Sequence, residues 1–113
     1  MSALDDKISK YTEENKKLGL GLDDELIAKV TKGLGPSIYK KDTETVSCSD
    51  KTELDRVRQN YLIKKLGLDL SDNEMDAAIK EVCEKMGSNN RNKFRALFYA
   101  LLAQKFGKES IYG

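Results

Sequence analysis

The chain has 113 residues, 39% hydrophobic and 35% charged, a balance that suits one well-solvated domain over residues 1–113. A net charge of +1 supplies no overall field to draw it onto nucleic acid or an anionic membrane. The complete absence of histidine removes the commonest general base and metal ligand. Cys48 and Cys83 without histidine make no closed zinc site. The acidic start "MSALDDKISKY" and the lack of a membrane-spanning apolar run predict a cytoplasmic protein with both thiols reduced.

Apolar residues recur at three- and four-residue steps, the period of helices. The first stripe holds Leu4, Ile8, Tyr11 and Leu18, interrupted by Asn15; the second holds Leu22, Leu26, Ile27, Val30 and Leu34. Pro36 can open a further turn with Ile38 and Tyr39 facing inward. Residues 42–49, "DTETVSCS", are polar and read as an internal linker. Ser49 is then expected to cap a long helix, with Glu53 near the capping-box position and Leu54, Val57, Tyr61, Leu62 and Leu66 inside. Ser71 caps the next, "SDNE" being a full capping box, and its stripe is Met75, Ala78, Ile79, Val82, Cys83 and Met86. A last helix over residues 91–106 is apolar on most of its circumference and belongs at the centre. Residues 107–113 read as a flexible tail.

Nearly the same seven letters occur twice, "KKLGLGL" at 16–22 and "KKLGLDL" at 64–70. The Lys pair suits the negative end of a helix dipole. The Gly takes the left-handed position beyond the last turn, and the next Leu packs back. Each copy thus encodes helix, tight turn, helix. The expected fold is all-α: a compact five-helix array in which two helical hairpins, residues 3–35 and 50–87, pack around a central apolar C-terminal helix. Duplication and independent use of the same capping grammar both produce such a pattern, and the grammar is the more economical source.

Chemistry is scarce. Asp69, Ser71 and Asn73 imitate the start of a calcium loop, but Glu74 stands where the loop needs Gly, and Lys80 where it needs Glu. A helix-turn-helix would point Asp23, Asp24 and Glu25, or Asp72, Glu74 and Asp76, at phosphates, which disfavours nucleic acid. One stretch runs against local grammar. Residues 88–108 hold five basic side chains and no acid, with Arg91, Lys93 and Arg95 at the expected helix start, where the dipole disfavours cations. They are the candidate ligand-binding residues, for an anion such as phosphate. Against that stands simple pairing with residues 69–86, which carry six acids and two lysines; most such asymmetries are structural.

The stretches "SCSDKTELDRVRQNYLIKKLGL", "DAAIKEVCEKM" and "RALFYALLAQKFGK" together resemble a family of small bacterial proteins named domain of unknown function 2853. The resemblance implies a cytosolic, all-α bacterial protein and carries over no activity and no functional residue. Without catalytic residues, metal ligands or cofactor motifs, the expectation is a non-enzymatic, monomeric module that binds a protein partner. Anion or phosphate binding at Arg91, Lys93 and Arg95 is the alternative.

Overall fold

The computed structural model describes residues 2–112 and holds six α-helices with no β-strand among them. Helix α1 spans Ala3–Leu18 and α2 spans Asp24–Leu34. Ser2 Oγ accepts from the Asp5 amide at the start of α1, and Asp5 and Asp6 complement the dipole there. The end of α1 is a Schellman turn: Gly19 has φ 64°, its N–H reaches Lys16 O, and the Leu20 N–H reaches Asn15 O. Asn15, the break in the apolar stripe, is buried. Its amide donates to Leu22 O at 3.0 Å and accepts from Leu22 N at 3.1 Å. One side chain therefore satisfies both backbone groups of the residue that leads into α2.

A short 3-10 helix, Gly35–Tyr39, comes next, with Pro36 in its first turn. Ile38 is buried as expected, but Tyr39 is half-exposed, since a three-residue turn places adjacent side chains on different faces. The segment read as a linker is more structured than its composition suggests. It starts with α3, Lys41–Glu44, and Thr45 then forms an isolated antiparallel bridge to Phe94, with the Val46 amide bonded to Lys93 O.

Helix α4 spans Lys51–Arg56 and continues without a break as a π-helix over Val57–Lys65. Asp50, not Ser49, is its cap, its carboxylate accepting from the Thr52 and Glu53 amides. The π winding explains which residues reach the core. At the α-helical pitch, Val57 and Leu66 lie about two and a half turns apart and face opposite ways. The wider i→i+5 ring brings Val57, Tyr61, Leu62 and Leu66 to one side, and all four are buried. Helix α5, Asp72–Lys85, opens on the expected box: the Glu74 amide donates to Ser71 Oγ, whose hydroxyl reaches the Glu74 carboxylate.

Helix α6 covers Arg95–Lys105, four residues later than expected, with Phe94 as its cap residue. Asn90, Asn92 and Phe94 spend their backbone groups in turns, Asn90 to Gly87 and Phe94 to Asn92, so no helix can begin at Arg91. Seven of its residues are buried, Leu97, Phe98, Ala100, Leu102 and Ala103 completely. It packs against α1, α2 and α5, which makes it the central helix of an all-α protein. Of the expected tail 107–113, residues 107–112 are not free, and Gly113 lies outside the described residues. Glu109–Tyr112 form a 3-10 turn on α2 and α6, and the Tyr112 hydroxyl lies 2.7 Å from that of Tyr61.

Candidate functional site

The three basic residues singled out in the sequence do not converge. Arg95 is a structural hub. Its Nε donates to Thr43 O at 2.7 Å, one Nη donates to the Tyr99 hydroxyl, and the other reaches the Glu53 carboxylate. Glu53, expected in a capping box, is thereby committed to this ion pair. Lys93 is buried, and its ammonium donates to Asn90 O at 2.6 Å. Arg91 is exposed in the loop before α6. Nor do these residues pair with α5. The contact that joins the acidic face of α5 to α6 is made by Lys105 with Glu81.

The polar networks around Glu44 and around Tyr61 tie elements together without forming a site. Glu44 on α3 accepts from Lys7 at 2.8 Å, Lys10 at 3.4 Å and the Tyr11 hydroxyl at 2.6 Å. Burial acts to raise its carboxyl, but the hydrogen bonds from Lys7 and Tyr11 and the charges of both lysines outweigh it and hold the group below its usual range. The Tyr11 phenol, buried beside that carboxylate, is pushed far up. Tyr61 stacks on Tyr99 with ring centroids 3.9 Å apart, and its hydroxyl donates to Tyr99 O at 2.9 Å. Burial, then the neighbouring Tyr112, raise its pKa strongly. All these groups have their partners within the protein, and their roles are to anchor α3 and the last turn.

The expectation of two reduced thiols is overturned. Cys48 and Cys83 form a disulfide with 6.1 Å between Cα atoms. The bridge from Thr45 to Phe94 and the Val46 amide bond draw the segment after α3 across the end of α5, and that brings the two cysteines, 35 residues apart, together. Spacing in sequence carries no trace of this, because the contact is made by a fold-back.

The disulfide stands between two adjoining clefts that share Cys48, Lys80 and Cys83. The larger, about 860 Å³, is lined by segment 45–49, by Glu84 and by the loop 88–91 with Lys93. Its charged side chains are three cations, Lys80, Arg91 and Lys93, against one acid, Glu84, and the rest are chiefly hydroxyls and amides. The smaller, about 360 Å³, has an apolar floor of Leu54 and Ile79 and a rim of Lys51, Asp55 and Asp76. Volumes in this range are those of ligand clefts. The sequence pointed at Arg91 and Lys93 but offered nothing to identify Lys80, which reads as one more exposed helical lysine. No group of three or more Cys, Asp or Glu side chains among the described residues is placed to hold a metal ion. None of the described helices is long and apolar enough to cross a membrane.

Residues 10–110 match a family model described as "Protein of unknown function (DUF2853)". No curated protein matches the chain.

Proposed function

Because the chain belongs to the DUF2853 family, whose description assigns no activity, we propose from the geometry alone that it is a non-catalytic binding module. Its ligand is a short polypeptide segment that presents an apolar side chain next to a carboxylate. The observation that carries this reading is the pair of clefts meeting at the disulfide. An aliphatic side chain fits over Leu54 and Ile79, and a carboxylate beside it meets Lys80 and Arg91. Charge complementarity of this kind selects partners and steers their approach. We further propose that the module acts as a monomer; the Cys48–Cys83 disulfide removes the reduced-thiol ground for placing it in the cytoplasm. Tyr39, Leu70 and Ile111 are the exposed large apolar side chains among the described residues, few beside the contiguous apolar face that self-association needs.

A second reading, a small anion held by the cationic cleft alone, is favoured by the exposed Arg91 side chain; Arg95, committed to Thr43, Thr45, Glu53 and Tyr99, takes no part in it. Titration of the ¹⁵N-labelled protein with an acetylated Asp-Leu-Asp peptide separates the two. Peptide binding shifts the amides of Ser47–Ser49, Lys80 and Arg91 together with those of Leu54 and Ile79, and weakens with salt. If inorganic phosphate reproduces the shifts around Arg91 and the peptide adds nothing at Leu54 and Ile79, the small-anion reading replaces it. If neither ligand moves these amides, both fail.

A further inference from the structure

The same disulfide is a chemical group as well as a wall. Cys83 on α5 is 8% exposed, whereas Cys48, on the segment leading to α4, is only partly buried. Both clefts open on the bond between them. Thiol–disulfide exchange is governed by access to the attacked sulfur and by local enrichment of the thiolate. The larger cleft meets both conditions, since it places Lys80 and Arg91, both exposed, beside the more accessible cysteine. A thiol that also carries carboxylates is concentrated there by charge, whereas a cationic thiol is repelled.

We propose that Cys48 is a site of reversible modification by an anionic low-molecular-weight thiol, whose carboxylates rest against Lys80 and Arg91. The thiol loses its proton, and its thiolate attacks Cys48 Sγ in line with the Cys48–Cys83 bond. A new S–S bond joins the thiol to Cys48, and the old one breaks. The electron pair leaves on Cys83 Sγ, which takes up a proton, so one thiol is consumed and one released with no external oxidant or reductant. Two contacts limit how far the chain then moves. The Val46 amide stays bonded to Lys93 O at 2.8 Å, and Val46 remains buried. Only Ser47–Ser49 are therefore released from α5, and the wall between the two clefts is freed while the core stays closed. The inference rests on the larger cleft attracting carboxylates, as the binding reading does, but it requires no peptide ligand.

The test uses the oxidised full-length protein exposed separately to glutathione, neutral 2-mercaptoethanol and cationic cysteamine, with maleimide quenching and peptide mapping. The expected product carries glutathione on Cys48 and maleimide on Cys83. In the Lys80→Gln/Arg91→Gln variant the glutathione rate, taken relative to 2-mercaptoethanol, falls by about three- to tenfold, and the cysteamine rate rises. Both substituted side chains are exposed, and unchanged circular dichroism of the variant confirms that it folds. Glutathione on Cys83, an unchanged rate ratio in the variant, or a disulfide inert to all three thiols would each overturn the proposal. Peptide binding measured beside these rates keeps the two ideas apart. A peptide that binds while the ratio stays flat sinks the modification alone. A charge-dependent ratio without peptide binding sinks the peptide reading alone.

Discussion

The two helical hairpins share seven nearly identical letters at their turns and are held shut in different ways. In the first, α1 keeps its regular pitch to the end, and the buried Asn15 clamps the N–H and C=O of Leu22. In the second, Ile63 occupies the corresponding position, no side chain among the described residues clamps the turn, and the helix is wound as a π-helix. There the Leu66 amide bonds Tyr61 O, and the Leu68 amide bonds Leu62 O, one residue further back than its counterpart in the first turn. Gly19 and Gly67 nevertheless have nearly the same φ, 64° and 68°. The turn residue is set by its own steric requirement, and the approach to it by what each helix has to bury.

The first hairpin is most vulnerable at Asn15, whose clamp has no counterpart in the second. Asn15→Ala leaves a buried donor and acceptor of Leu22 unpaired and is expected to destabilise by about 2–4 kcal/mol, read from the denaturation midpoint at constant m-value. Ile63→Ala, at the matching place in the second hairpin, is half-buried and is expected to cost only about 1–2 kcal/mol. Equal losses would mean that the clamp on Leu22 adds nothing.

Next come the polar groups that fasten further elements to each hairpin. Glu44 ties α3 to α1, and Glu44→Gln is expected to lose about 1.5–3 kcal/mol at neutral pH, the range for hydrogen bonds to a charged group. Because the folded carboxyl is held below its usual value, its contribution is complete above the unfolded carboxylate range, about 4.3, and disappears as pH falls through the folded value. The gap between wild type and variant therefore closes in acid; a gap independent of pH would assign the loss to packing. In the second hairpin, Tyr61→Phe removes the hydroxyl shared with Tyr99 O and Tyr112 and is expected to cost about 1 kcal/mol at neutral pH. The raised phenol has the opposite sign. Its stabilisation is complete below the unfolded tyrosine value of about 10 and is lost as pH rises towards the folded one. The variant should accordingly lose stability less steeply in alkali than the wild type.

The smallest effects test where the hairpins agree. Gly19→Ala and Gly67→Ala should each cost about 1 kcal/mol, because a side chain resists the left-handed backbone. A Cβ added at either position meets no atom within 4 Å, so the two values should match closely. A much larger loss at Gly67 would show that the π winding makes that turn less tolerant.

Much of the fold was legible because capping, dipole complementarity and apolar period act over one or two helical turns. The paired hairpins, the Ser71 box and the central position of α6 stem from such local rules. The same rules misplaced what depends on distant partners. Ser49 and Asp50 are equally good caps in text, and Glu53 was claimed by Arg95, 42 residues away. Of the candidate site, Arg91 and Lys93 were visible as cations in an unexpected place. Arg95 stands in the same stretch, but its role is set by the carbonyls of Thr43 and Thr45 that accept from it, and these are supplied by another segment.

The all-α class, the two hairpins and the left-handed Gly19 and Gly67 could be read from the chain alone, since each of these is decided by neighbours within a few residues. Tertiary structure alone decided the π winding, the late start of α6, the fold-back of Glu109–Tyr112 and the Cys48–Cys83 bond. The reason is physical. Packing against a central helix selects among several local geometries of similar energy, and it brings together side chains, such as Cys48, Lys80, Cys83 and Arg91, whose proximity no local preference encodes.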